Sequence, residues 1–130
     1  MEACPDGWHL PSDSEWTQLT DYLGGIDMGN NLGIDEIAIA GGKLKETDTT
    51  HRASPNKGAT NESGFTALPG GLPLRFAWFG IGYSGHWWSG TDNDTYSLDP
   101  WGRYMDSQSS NVYRLRISKS LGCSVRCVKD

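Results

Sequence analysis

Glycine is spread along the whole chain, and this distribution limits what the chain can fold into. The sequence has 17 glycines and 6 prolines among 130 residues. Because glycine is unfavourable inside helices, this spread argues against a helical bundle. The 6 tryptophans argue against disorder, because each supplies a large apolar side chain for a core. The chain is therefore expected to form one domain over residues 1–130, in which a few large aromatic residues hold long structured loops.

One helix near the start of the chain has clear boundaries. Ser12 and Glu15 have the spacing of a capping box, and the apolar stripe after them ends at Gly24-Gly25. The stripe consists of Trp16, Leu19 and Leu23. A second, shorter helix is predicted over residues 32–40, ended by Gly41-Gly42.

The second half of the chain has the composition and alternation of β-strands. Residues 43–64 between the halves are polar and indicate a long loop, either ordered or mobile. The predicted class is α+β, with two helices and one mainly antiparallel, loop-rich sheet. Besides a short strand around residues 8–10, strands are expected over residues 74–81, 83–91, 95–105, 112–117 and 123–128.

The formal net charge of −5 gives no electrostatic reason to expect nucleic acid or an anionic membrane as a partner. The charge is uneven: no lysine or arginine precedes Lys43, whereas basic residues prevail after Trp101. The acidic start and the basic end are therefore expected to pack near each other. The sequence contains neither a signal peptide nor an apolar run of membrane-spanning length, so any export signal is expected to have been removed.

The three cysteines are Cys4, Cys123 and Cys127. None of their spacings is that of a redox or zinc motif. The simplest interpretation is one disulfide that ties the ends of the chain together, with one thiol left over. Such a bridge indicates an oxidising compartment.

Residue types that carry catalysis are present, but not in catalytic patterns. The three histidines lack a partner at metal-ligand spacing. Asp92-Asn93-Asp94 resembles the start of a calcium loop, but Ser97 and Arg103 stand where the EF-hand pattern needs glycine and a carboxylate. We therefore predict no catalytic residue, no metal ligand and no cofactor, with an irregular calcium site at Asp92-Asn93-Asp94 as the alternative. A metal- or thiol-dependent enzyme that uses Cys123 is the rival hypothesis.

Aromatic and small polar residues are mixed in the second half of the chain. Trp8, Trp16 and one of Trp87 and Trp88 are expected in the core. The remaining aromatic residues, together with nearby Asn, Asp and His, have the composition of binding surfaces, in which Tyr and Trp supply rigid contact area. They could also be ordinary aromatic residues of a sheet. The predicted ligand-binding residues are Tyr83, His86, Asp92, Asn93, Asp94, Tyr96, Trp101, Tyr104, Asn111 and Tyr113.

Three groups of segments resemble a known family. They are Cys-Pro-Asp-Gly-Trp-His-Leu-Pro-Ser-Asp-Ser-Glu-Trp over residues 4–16, Gly41–Glu46 with Asn61–Gly71, and Trp-Trp-Ser-Gly-Thr at 87–91 with the ending at 118–130. Together they resemble the Fibrobacter succinogenes major paralogous domain over nearly the whole chain. The resemblance implies a secreted or lipoprotein-anchored protein of the bacterial surface.

That family is in turn similar to a branch of the C-type lectin fold near the formylglycine-generating enzymes. Leu10-Pro-x-x-x-Glu-Trp16 resembles the opening motif of that group, and Gly122-x-Ser-Val-Arg126 resembles its closing strand. The resemblance implies that the first and last strands pair and that Cys4 bonds to Cys127. Cys4–Cys123 is the alternative pairing.

The calcium-and-sugar motifs of lectins and the catalytic cysteine pair of the generating enzymes are absent from the sequence. We therefore expect a non-enzymatic ligand-binding or adhesion module of an exported bacterial surface protein, with a protein or a glycan as partner. One alternative is the variable protein of a diversity-generating retroelement, because residues 83–123 are rich in the residue types that such elements produce. Another is a structural cell-surface or fimbrial subunit.

Overall fold

The computed structural model describes residues 3–25, 34–74, 76–92 and 99–130. Short helices and mostly antiparallel strands confirm the predicted α+β class. The elements in chain order are β1 (Trp8–His9), α1 (Asp13–Leu23), β2 (Ile34–Ala38), α2 (Gly41–Leu44), β3 (Leu72–Leu74), β4 (Ala77–Phe79), β5 (Ser84–Asp92), β6 (Pro100–Asp106), β7 (Val112–Arg116) and β8 (Val128–Lys129).

The main sheet has four antiparallel strands in the order β2-β7-β6-β5. Its register places His86 of β5 opposite Tyr104 of β6, and Tyr104 opposite Tyr113 of β7. Side chains alternate between the two faces of a strand, so these three rings share one face. Trp87 and Met105 belong to the other face.

The core lies between α1 and that second face of the sheet. Trp16 of α1 and Trp87 of β5 are buried, with 2% and 4% of their surfaces exposed. The Phe65 ring lies between them, 5.5 Å from the Trp16 ring and 6.2 Å from the Trp87 ring. The prediction that Trp16 and one tryptophan of the 87–88 pair belong to the core is confirmed. Trp8 is 44% exposed, so its assignment to the core was wrong.

Helix α1 begins and ends where the sequence predicts. The backbone N–H of Glu15 donates to Ser12 Oγ, and the backbone N–H of Ser12 donates to Glu15 Oε2 at 2.8 Å, which completes the capping box. The N–H of Gly24 closes the last turn on the Thr20 carbonyl. The cap fixes the entry of the chain into the helix that carries Trp16.

The helix predicted over residues 32–40 is wrong, because residues 34–38 form strand β2. Ile37 lies opposite Tyr113, and Ala38 lies opposite Val112. This pairing with a distant strand outweighs the local helical pattern. The glycines that were expected to end the helix open α2 instead. A Cβ on Gly41 would lie 2.3 Å from the Asn111 carbonyl oxygen, so glycine is needed there for close backbone packing.

Two further strand predictions need correction. Residues 74–81 were expected to form one strand, but β3 and β4 form a hairpin in which Leu74 lies opposite Ala77. The strand predicted over 123–128 is reduced to a bridge between Ser124 and Trp87 and to β8 at its end. The β3–β4 hairpin and strand β8 are both separate from the four-stranded main sheet, so the strands form more than one sheet. The strand predicted from residue 95 begins at Pro100, and residues 95–98 lie outside the described part of the chain.

The two ends of the chain meet. Strands β1 and β8 pair antiparallel, with Trp8 opposite Lys129, and a disulfide joins Cys4 to Cys127. Cys123 is the free cysteine. A bridge of this kind indicates a protein that folds outside the reducing cytoplasm. In the described residues, we find no helix with the length and apolar character required to span a membrane.

Candidate binding surface

Three of the predicted ligand-binding residues form a continuous row of rings across the main sheet. The His86 and Tyr104 rings lie 4.9 Å apart, and the Tyr104 and Tyr113 rings lie 5.6 Å apart. Tyr83, just before β5, lies near Tyr104, the middle ring of the row, and is 38% exposed. We call His86, Tyr104 and Tyr113 the aromatic row.

The polar atoms of the aromatic row are largely used inside the domain. The Tyr104 hydroxyl donates to Asp106 Oδ2 at 2.9 Å, and the Tyr113 hydroxyl is 3.1 Å from Ser109 Oγ. Burial and the Asp106 carboxylate raise the pKa of Tyr104, so this hydroxyl stays protonated. Burial lowers the pKa of His86, against a smaller opposing effect of a hydrogen bond to the Gly71 backbone. Burial therefore favours the neutral forms of His86 and Tyr104.

The other predicted residues do not join this row. Trp101 lies three residues before Tyr104 on β6, so its side chain is on the opposite face. The Asp92 carboxylate pairs with Lys119 at 3.0 Å, at the end of β5. Asn111 is half-buried just before β7, where its backbone N–H donates to Ser109 Oγ. Asn93, Asp94 and Tyr96 lie outside the described residues.

Trp101 instead belongs to a charged cluster that joins the helix to the sheet. The Arg114 guanidinium lies 3.6 Å above its ring. The Asp13 carboxylate at the start of α1 pairs with Arg114 at 2.6 Å and with buried Arg103 at 2.8 Å. Burial alone would raise the pKa of Asp13, but the hydrogen bonds from the two arginines outweigh it and lower that pKa. The expectation that acidic N-terminal and basic C-terminal segments pack together is confirmed at this cluster.

One concentration of exposed large apolar side chains among the described residues was not predicted as a site. It lies on the β3–β4 hairpin and the turn after it. Phe76 is 98% exposed, Phe79 68%, Trp78 62% and Ile81 62%. We call the segment from Leu72 to Ile81 the apolar hairpin.

The base of the apolar hairpin is fixed to the edge of the main sheet beside the aromatic row. The Gly71 N–H donates to the Ser84 carbonyl at 2.8 Å, and the Gly82 N–H donates to the Pro69 carbonyl at 2.9 Å. Gly71 has φ +69, and a Cβ there would lie 2.7 Å from the Ile81 nitrogen, so only glycine fits this crossing of two backbones. Because its base is held by backbone hydrogen bonds, the hairpin holds its aromatic side chains outward in a defined position.

A sequence signal for this surface exists. Residues 63–91 contain one formally charged residue, Arg75, whereas 21% of the whole chain is charged. That composition is typical of a core strand, which is why the sequence predicts one strand over residues 74–81. Pro73 in the middle of β3 argues against a core strand, because proline within a sheet is confined to edge strands, strand starts and bulges.

Chemistry at the remaining candidate groups is limited. Burial raises the pKa of the Cys123 thiol to about 12, so it carries almost no thiolate at neutral pH. The described segments hold no cluster of three or more His, Cys, Asp or Glu side chains that could bind a metal ion.

The fold and this surface define the class of protein. It is an α+β domain of extracytoplasmic type, with its two ends joined by a disulfide and an aromatic hairpin exposed on its surface. The chain belongs to the Fibrobacter succinogenes major domain family, whose family model matches residues 1–129. No curated protein and no solved structure matches it.

Proposed function

We propose that this chain is a protein-binding module of an exported bacterial surface protein and that the apolar hairpin, with Tyr83 beside it, makes the contact. The observation that carries the proposal is the exposure of Phe76, Trp78 and Phe79 on one short, anchored hairpin. Large apolar patches on soluble domains mark interaction sites, whereas single exposed apolar residues are ordinary.

The size of the surface fits a specific interface. Each buried aromatic side chain contributes roughly 150–250 Å² of contact. Because Trp78 and Phe79 are neighbours on β4 and face opposite sides, one face of the hairpin presents two of the three aromatic residues and supplies about 300–500 Å². A standard interface uses about 800 Å² on each partner. Aromatic residues are also frequent among those that dominate binding energy. One face of the hairpin can therefore provide about half of one side of such an interface, and Tyr83 can extend it.

A protein partner fits this surface better than a glycan. Binding a sugar requires polar side chains beside an aromatic ring to pair with its hydroxyls, and in the described part of the apolar hairpin the Trp78 indole N–H is the single polar side-chain group. In the described part of the sheet, β4 pairs with β3 alone. Its other edge can accept an added strand from a partner, as in other cases of strand addition.

The finer features of the proposal follow the family resemblance. The domain has a C-type-lectin-like fold, and the protein is secreted or anchored as a lipoprotein. His86 of the aromatic row contacts the Gly71 backbone at the hairpin base, and Tyr104 lies near Tyr83. The proposal that residues 83–123 are varied by a retroelement is separate from the hairpin, whose exposed residues precede Tyr83.

A structural subunit is the second candidate, and the free edge of β4 favours it. If sister copies add strands to one another at this edge, the same hairpin joins identical chains. The two candidates differ in the identity of the partner and not in the surface used.

Site-specific crosslinking in cells that produce the protein tests both. A photo-reactive phenylalanine is placed at Phe76 or, as the matched control, at Tyr22, an 87% exposed aromatic residue on α1. We expect one reproducible protein adduct from position 76 and none from position 22. Purified partner should then bind the wild-type domain at least tenfold more tightly than the Phe76→Ser/Trp78→Ser variant.

Each outcome separates the hypotheses. An adduct with a second copy of the chain favours the structural subunit. Equal crosslinking from both positions contradicts the proposal. Binding to glycans that disappears in the Trp78→Ser variant, without any protein adduct, would replace the protein partner by a sugar.

A further inference from the structure

A groove of about 440 Å³ lies between α1 and the C-terminal strand, and it shares no lining residue with the apolar hairpin. Its floor is apolar and consists of Trp16, Leu19, Phe65 and Val128. Pockets for small ligands have volumes of roughly 300–1,000 Å³ and are lined mainly by apolar side chains. The groove therefore has the size and the floor of a small-molecule site.

The floor is held in place by the core. Trp16 is 2% exposed, and its indole N–H donates to the Trp88 carbonyl at 3.2 Å. The Phe65 ring contacts both Trp16 and Trp87. A ligand would meet side chains that are already in position, so little ordering cost opposes its binding.

Arg126 supplies a positive charge at the rim. Its guanidinium carbon lies 4.3 Å above the Phe65 ring, and one terminal nitrogen donates to the Phe65 carbonyl. A guanidinium has five N–H donors in a planar fork. Across the ranges that the structure describes, this is the one hydrogen bond that Arg126 makes, so donors remain for a ligand at the mouth of the groove.

The carboxylate at the rim is already engaged by hydrogen-bond donors. Glu15 accepts hydrogen bonds from the Ser12 backbone and hydroxyl, and it also contacts the His9 ring at 2.9 Å. The pKa of His9 is raised by its contacts with Asp130 and Glu15, which favours the charged ring beside this carboxylate. Arg126 is therefore the charged donor of the groove lining that remains for a ligand.

We propose that the groove binds a small amphipathic carboxylate, such as an arylalkyl or short-chain carboxylic acid. The apolar body lies on Trp16, Leu19 and Phe65, and the carboxylate accepts hydrogen bonds from the free donors of Arg126. Arginine suits this task because its fork matches the two oxygens of a carboxylate.

Three probes of equal shape and different charge test the proposal on the whole chain. They are 4-phenylbutyrate, 4-phenylbutanol and 4-phenylbutylamine, titrated while the amide and indole signals are followed by NMR. We expect shifts at Leu19, Phe65, Val128 and the Trp16 indole. Binding should be about tenfold tighter for the acid than for the alcohol, and weakest for the amine.

Variants separate the groove from general electrostatics. Arg126→Met removes the charge but keeps the aliphatic part of the side chain. It should weaken binding of the acid about tenfold and leave binding of the alcohol unchanged. Lys129→Met is the matched control, because it removes the same charge from the same chain end at a residue outside the groove. Gln18→Glu adds a negative charge at an exposed rim position with little risk to folding. It should weaken binding of the acid but not binding of the alcohol.

Three results would overturn the proposal. One is the absence of localised shifts with 4-phenylbutyrate at millimolar concentration. Another is equal binding of acid and amine. The third is an equal loss of acid binding in Arg126→Met and Lys129→Met, with Gln18→Glu unchanged.

Discussion

Lys45 is a buried amine that holds the long polar loop against the sheet. Its ammonium group donates to the carbonyls of Lys57, Asp106 and Ser109 at 2.7–3.0 Å, and its surface is 0% exposed. Burial lowers its pKa to about 8, with a smaller effect from the charge of Arg52. One side chain therefore connects α2, the loop after it and the end of β6.

The first prediction concerns this amine. Lys45→Met should lower the free energy of unfolding by about 3 kcal/mol, because buried carbonyls lose a charged donor. Lys43→Met is the matched control: Lys43 is 41% exposed and lies 3.7 Å from Glu62, so its loss should cost below about 1 kcal/mol. Urea denaturation measures both. Equal losses in the two variants would contradict a special role for Lys45.

The second prediction concerns Cys123. Because burial raises its pKa to about 12, its thiolate fraction at pH 8 is roughly a thousandfold lower than that of an ordinary thiol. Iodoacetamide should therefore label Cys123 at least a hundredfold more slowly in the folded protein than in 8 M urea, as followed by mass spectrometry without reductant. The disulfide cysteines should stay unlabelled in both states. Rapid labelling of the folded protein would restore the thiol-enzyme hypothesis.

Among the elements, helix α1 and the strand from 84 onward could be predicted, whereas β2 could not. A capping box and an apolar stripe are local signals, so Ser12 and Trp16 sufficed for the helix. Strand β2 depends on pairing with β7, and a short apolar run alone does not distinguish helix from strand.

The candidate site was partly predictable for the same reason. The spacing of Trp101 and Tyr104 already places their side chains on opposite faces of one strand. The exposure of Phe76 and Trp78 could not be read from the sequence, because an apolar run ordinarily predicts burial. Exposure depends on the turn that separates β3 from β4 and on the backbone hydrogen bonds that fix the hairpin at the sheet edge.

The third prediction concerns the start of α1. The pKa of Glu15 is lowered to about 2, chiefly by the Ser12 backbone N–H, and also by His9 and the Ser12 hydroxyl. The unfolded state therefore binds more protons between pH 4.5 and pH 2, so this stabilisation is complete above pH 4.5 and is lost as the pH falls through 2. The effect is modest because the Glu15 side chain is 35% exposed.

Thermal unfolding measures this effect as a difference in Tm. The Tm advantage of the wild type over Glu15→Gln should shrink as the pH is lowered from 5 to 2. Ser14→Ala changes an exposed hydroxyl of the same turn and should keep the acid response of the wild type. A Glu15→Gln variant with the acid response of the wild type would contradict the assignment.

On the scale of the whole molecule, the chain closes on itself. The ends pair as β1 and β8 and are joined by the Cys4–Cys127 bridge, while the core lies between α1 and the main sheet. The proposed protein surface and the proposed groove have separate lining residues on this closed frame. A partner at the apolar hairpin and a carboxylate in the groove can therefore be tested one at a time.

The last prediction concerns this closure. The bridge spans 123 residues of sequence. A loop of that length restricts the unfolded chain strongly, and removing a native disulfide from a small secreted domain costs about 2–5 kcal/mol. Cys4→Ser/Cys127→Ser should therefore lose a free energy of unfolding in this range, and reduction of the wild type should produce the same loss. Cys123→Ser is the matched control. In this variant, the difference in free energy of unfolding between the oxidised and the reduced protein should stay as large as in the wild type. If Cys123→Ser abolished that difference while Cys127→Ser kept it, Cys4 would pair with Cys123 in solution.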